Sequence, residues 1–168
     1  MKVSCALVVC WLVVVAAPFP AAAQSQRRVR ALDVAAAAAL ERGLVHSPLF
    51  RRLVAELEAS DLIVHVVTGI ALPAKAAGVT RLVWAGPRDR YVRIMISGDL
   101  PRAQRPAILA HELQHACEIA RSPARDTAAV RSLFQTIGQP GDSPSETYET
   151  DAAIDAGIEV WLDLQPGS

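Results

Sequence analysis

Five residues, His111-Glu112-Leu113-Gln114-His115, constrain this chain more than any other stretch. They form an HExxH motif inside Arg102–Arg121, a segment whose apolar residues recur at helical spacing. On an α-helix, residues four apart stand on one face. Two imidazoles so placed can grip one metal ion, usually zinc. Glu112 lies one step round from His111, able to reach a water that the metal polarises but poorly placed for the metal itself. Ligands that polarise a water, plus a free carboxylate that takes its proton, are what metal-assisted hydrolysis requires. Projected at about 100° per residue, Leu109, Leu113, Ala116 and Ala120 make the core-facing stripe. His111, Glu112 and His115 share a second sector flanked by Ile108 and Ile119, and Gln114, Cys117 and Arg121 take the remaining side. The plain alternative is a pair of surface histidines beside a solvated Glu.

Two imidazoles do not complete a catalytic zinc site, which takes three protein ligands and keeps a position for water. The extension HExxHxxGxxH is absent, because its last two positions are Glu118 and Arg121 here. Glu118 lies about 10 Å along the axis from His111, and three ligands on one straight helix converge poorly. A last helix is predicted over Ser145–Leu164, and its first turns hold Glu146, Glu149 and Asp151. Acids at a helix N-terminus can simply complement its dipole, which accounts for Glu146. Glu149 lies near the small residues Ala152, Ala153 and Ala156, where an unpartnered buried carboxylate is costly. Glu149 is therefore the expected third ligand, with Asp151 and Glu146 as alternatives.

Before the motif, Met1-Lys2, the apolar run Val3–Ala17 and Ala21-x-Ala23 describe a secretory signal peptide over 1–23. The run is short for a membrane span, so no stable span is expected after cleavage, and the destination is periplasmic or extracellular. Cys5 and Cys10 would leave with the signal, and Cys117, which cannot form an internal disulfide alone, reads as a small apolar residue. Residues 24–168 suit one domain. Losing Lys2 from the 17 basic residues leaves 16, against 17 acidic ones. With no basic tract interleaved with aromatics, a nucleic-acid partner is not expected. Gln24–Arg30 reads as a frayed terminus. Helices are predicted over Ala31–Arg42, ended by Gly43, and from Ser47-Pro48 to about Ala59, with His46 in the link. Leu62–Thr68 reads as a buried strand with His65 as a satisfied structural residue, Thr80–Ala85 and Tyr91–Ser97 as strands joined by the turn Gly86–Arg90. The motif helix should start near Arg105 behind Pro101 and Pro106, with Asp99 or a neighbour as cap. Another helix should start at Ser122-Pro123 and close at Gly138.

With His111-Glu112-x-x-His115 and Glu149 in place, the chain resembles the zincins, the HExxH zinc metallopeptidases, and within them the gluzincin branch, whose third ligand is a Glu from a later helix. The resemblance covers about residues 80–160. It implies an α+β, zincin-like fold: a small, mainly three-stranded sheet packed on the HExxH helix, with further helices before and after. It implies that Zn²⁺ is the cofactor, that Glu112 is the general base, and that the edge strand Leu82, Val83, Trp84, Ala85 holds an extended substrate beside Tyr91–Ile96. Tyr148 is a further substrate-side candidate. The branch often carries an Asp four residues after the ligand Glu. Position 153 is Ala here, leaving Asp151 or Asp155 to orient the ligands. The implied function is a secreted zinc-dependent peptidase acting on peptide or protein substrates. The alternative is a non-catalytic exported domain with a structural zinc site or a protein-binding role. Latency, with the N-terminal helices over the cleft, stays open.

Overall fold

The structure is a computed structural model that describes residues 27–69, 72, 76–140 and 148–165. The expected signal segment 1–23 and Glu146 lie outside these residues. The described part is α+β, with five helices and a small mixed sheet. In chain order it runs β1 (Val29–Ala31), α1 (Val34–His46), α2 (Pro48–Glu58), β2 (Leu62–Gly69), β3 (Gly78–Ala85) and β4 (Arg90–Ser97). It continues with α3 (Arg105–Arg121), α4 (Thr127–Ile137), the two-residue strands β5 (Gln139–Pro140) and β6 (Tyr148–Glu149), and α5 (Asp151–Asp163).

The sheet has four strands rather than three, in the order β1-β2-β4-β3. The extra one is β1, in the stretch expected to fray, and it runs parallel to β2. Its signal is weak because three residues cannot show a period. β2 and β4 are parallel, and β3 returns antiparallel along β4 as the outer edge. β2 is buried on one face only: Leu62, Val64 and Val66 enter the core while Ile63, His65 and Val67 do not. A continuous β-branched run thus concealed an ordinary alternation.

Helix boundaries moved where capping chemistry lay elsewhere. Asp33 caps α1, its Oδ1 accepting from Ala36 N at 2.9 Å while Oδ2 accepts from Thr68 N at 2.6 Å. The helix then runs through Gly43 and ends on His46, which is helical rather than in a link. Gly43 is interior because the Phe50 ring of α2 lies against it, where a Cβ would meet ring carbons at 2.5 Å. Ser47 caps α2 as expected, accepting from Phe50 N. α3 begins at Arg105 as expected, but behind Gln104 and with no side-chain cap. α4 starts at Thr127, because Asp126 supplies the cap that Ser122 was expected to supply. α5 starts at Asp151, capped by Thr150, six residues later than expected.

α3 is the central element. It packs on the sheet, on α1 and α2, and on α5. Leu109, Leu113 and Ala116 are fully buried, as the projection requires. Cys117, grouped with Gln114 and Arg121 and read as a small, partly buried apolar residue, is fully buried, because α2 covers that side and Cys117 Sγ lies 3.7 Å from Leu53 O. Burial pushes its thiol up to about 12, which keeps it protonated and inert. Among the described residues no helix is long and apolar enough to cross a membrane.

Candidate metal centre

α3 presents His111 and His115 one turn apart, with ring centroids 4.8 Å apart and rings nearly perpendicular. Glu149 reaches them from β6, not from within a helix. The β5–β6 pair sets Glu149 opposite Gln139, and Thr150 then caps α5. Tight helix packing below helps. Gly157 of α5 lies against α3, where a Cβ would stand 3.5 Å from both the Ala107 carbonyl oxygen and His111 Cβ.

His111 Nε2 lies 2.8 Å from Glu149 Oε2, and His115 Nε2 lies 3.8 Å from the same oxygen. One ligand atom from each of the three residues falls within 4.8 Å of the others. Two imidazole nitrogens and a carboxylate oxygen form a donor set suited to zinc. Oε2 is buried and accepts no well-directed hydrogen bond, despite its closeness to His111. With both imidazoles neutral, two ring nitrogens and a buried carboxylate oxygen face one point, the arrangement a cation satisfies. The imidazoles beside it hold the Glu149 carboxyl down at about 2.

His115 is oriented from behind. Its Nδ1 stands 2.9 Å from Glu118 Oε2, and Glu118 Oε1 accepts from Thr150 Oγ1 at 2.7 Å. The tautomer that donates Nδ1–H to Glu118 leaves the Nε2 lone pair directed at the Glu149 side. Burial lowers His115, but the contacts with Glu118 and Glu149 and the charge of Glu112 outweigh it and raise it to about 9. Glu118 was too far along the helix to be a ligand, yet three residues after His115 it is well placed to hold that ring. Asp151 and Asp155, expected in this orienting role, are exposed. Asp151 instead accepts from Gln139 Nε2 at 3.2 Å, outside the three-residue group. Replacing Glu118 with alanine is expected to weaken zinc binding by about 10- to 100-fold, measured by competition with a chromophoric chelator.

Glu112 is only 5 % exposed, and burial pushes its carboxyl above the usual range despite the neighbouring histidines and Thr80. Thr80 of β3 fixes it, with Oγ1 2.7 Å from Glu112 Oε2 and 3.0 Å from the Glu112 carbonyl oxygen. Gly78 lets the strand pass this close, since a Cβ there would meet Glu112 Oε1 at 2.5 Å. Neither Thr80 nor Gly78 carries a signal in the sequence, because both act across 32 or more residues.

A cleft of about 500 Å³ opens beside these groups, bounded by Gly78–Leu82 of β3, Glu112 and His115 of α3, Val130 and Phe134 of α4, and Tyr148 and Glu149. The Phe134 ring stands edge-on to His115, with centroids 5.2 Å apart. Of the expected substrate-side residues, Leu82 and Tyr148 line this cleft, while Val83, Trp84 and Ala85 do not. The register shifts between Leu82 and Trp84, and this bulge sends Val83 and Trp84 to a depression on the opposite side of the sheet. The half of β3 along the cleft is therefore Gly78–Leu82. The chain matches no protein-family model, no curated protein and no solved structure.

Proposed function

We propose that this chain is a zinc-dependent metallohydrolase of the zincin type, gluzincin-like in taking its third ligand from Glu149, and that it cleaves peptide bonds in exported peptides or proteins. The observation that carries this reading is the meeting of His111, His115 and the orphaned Glu149 Oε2 beside a cleft that also holds Glu112. His111, His115 and Glu149 would hold the ion. When bound, zinc supplies Lewis acidity that lowers the pKa of a water and polarises a carbonyl. Glu112, held by Thr80, takes a proton from the attacking water and returns it to the departing amine. The free edge of β3 at Gly78–Leu82 pairs with an extended substrate backbone, and Phe134 and Val130 wall the far side. Residues 1–23, as a cleaved signal, direct the domain to the periplasm or cell exterior.

The competing reading is a closed structural zinc site. Asp151, the residue that this reading would place in the fourth position, accepts from Gln139 Nε2 instead. The test is cleavage of unfolded casein by the zinc-loaded protein. Activity is expected to vanish on treatment with a strong chelator and to return with zinc. Stoichiometric zinc with no cleavage of any unfolded substrate would overturn the peptidase assignment and favour the structural reading.

A further inference from the structure

Among the described residues, the sheet carries helices on one face only. Leu62, Val64, Val66, Val92, Ile94 and Ile96 enter the core. The alternating residues Ile63, His65, Val67, Tyr91, Arg93 and Met95 point the other way, outside it. On this outer face one register row runs Arg30, His65, Arg93, Arg81, one residue from each strand. Cross-strand neighbours stand about 4.5–5.5 Å apart at Cβ, where like charges repel. His65 shows the effect: burial lowers it first, and the charges of Arg30 and Arg93 lower it further. None of the four strands contains an Asp or Glu. Among the described residues Arg81 and Arg93 have no ion-pair partner. Val83 and Trp84, each 55 % exposed, border the row beside Tyr91. A row of cations set in apolar and aromatic side chains calls for an apolar surface edged with acids.

The same molecule has that surface on its other side. α5 buries Ala153, Ala156 and Val160 and packs on α3 and α2, which separate it from the sheet. Outward it turns Ile154, Ile158, Trp161 and Leu162, all exposed, together with Asp155, which has no ion-pair partner among the described residues, while Asp151 accepts from Gln139 and Glu159 pairs with Arg52 at 3.6 Å. No Lys or Arg occurs in Asp151–Asp163. We propose that a second copy of this chain seats the outer face of α5 on the open sheet, its Asp155 against Arg93 and Arg81 and its Ile158 and Leu162 on the apolar side chains around them. The two faces differ and lie on opposite sides of one molecule. The contact is therefore heterologous, and association continues head to tail beyond the dimer.

Sedimentation velocity of the purified protein, from micromolar to millimolar and at low and high salt, tests this. The mean mass is expected to rise past the dimer with concentration and to fall with salt. Arg93→Glu alone and Asp155→Arg alone should each raise the concentration needed for association by roughly tenfold or more. Mixing the two variants should restore a complex, because each keeps the face the other lacks. A protein that stays monomeric throughout overturns the proposal, as does association that both charge reversals leave unchanged. Arg93-dependent binding of poly-glutamate or of a single-stranded oligonucleotide by a wild type that never self-associates would assign the face to a foreign acidic chain and overturn it as well.

Discussion

Replacing Arg90 with methionine is expected to destabilise the fold by about 3 kcal/mol, the cost of leaving the half-buried Asp61 carboxylate and four carbonyl oxygens without their common donor. The measurement is the urea midpoint, with an unchanged slope. Arg90 is the first residue of β4 and is almost fully buried. Its Nε and Nη2 bond Asp61 at 2.8 and 2.6 Å. Its Nη1 stands 2.9–3.0 Å from the carbonyl oxygens of Ile119, Ser122 and Ala124, and Nη2 reaches that of Ala120 at 3.0 Å. Ile119 and Ala120 lie in the last turn of α3, whose final carbonyls lack a full set of intrahelical donors, and Ser122 and Ala124 lie just beyond it. One guanidinium thus ties β4, the start of β2 and the HExxH helix together. Methionine keeps much of the stem volume and supplies none of the donors. The pH dependence separates this cause from simple mispacking. Hydrogen bonding to Arg90 holds the Asp61 carboxyl below the usual carboxylate range, against the opposing effect of burial. A folded pKa below the unfolded one gives stability that is present above the unfolded value and lost as pH falls through the folded value. Wild type should therefore lose stability on acidification through the carboxylate range more steeply than Arg90→Met. Equal acid slopes would show that the pair is not the source of the loss.

Glu112→Gln carries the largest expected effect on activity, a fall in kcat of about 10²–10⁴ with zinc content and fold retained. The amide has the same shape, and Thr80 Oγ1 can accept from its Nε2 as readily as it donates to the carboxylate, so the side chain stays in place. Only the capacity to take a proton is removed. KM should change little, because Glu112 contributes no substrate-binding group in this mechanism. Full activity in the variant would show that another residue is the base.

How far the sequence led follows from the range of each interaction. The spacing of His111, Glu112 and His115 is local, and the α3 helix presents them as that spacing requires. The strands β2, β3 and β4 were legible because eight residues suffice to show an apolar run or alternation. β1 was not, since its three residues pair only with β2, more than thirty positions away. Glu149 joins the histidines from a short strand that the Pro-Ser-Glu stretch before it disguises as a helix start. Glu118, three residues after His115 on one helix face, is local enough to be legible as the group that holds that ring. Thr80, Gly78 and Arg90 act across 29 to 34 residues, and nothing local marks them. The Arg30–His65–Arg93–Arg81 row is invisible to any linear scan, because register alone assembles it.

Under the proposed function, one zinc ion is held by His111, His115 and Glu149. X-ray diffraction from crystals grown with zinc, collected on both sides of the zinc absorption edge, locates the ion without reference to the fold. The expected result is one strong anomalous peak about 2.0–2.2 Å from Nε2 of each histidine and from a Glu149 carboxylate oxygen, absent in crystals of His111→Ala. A peak on other side chains, or none between these three in zinc-saturated crystals, would contradict the assignment.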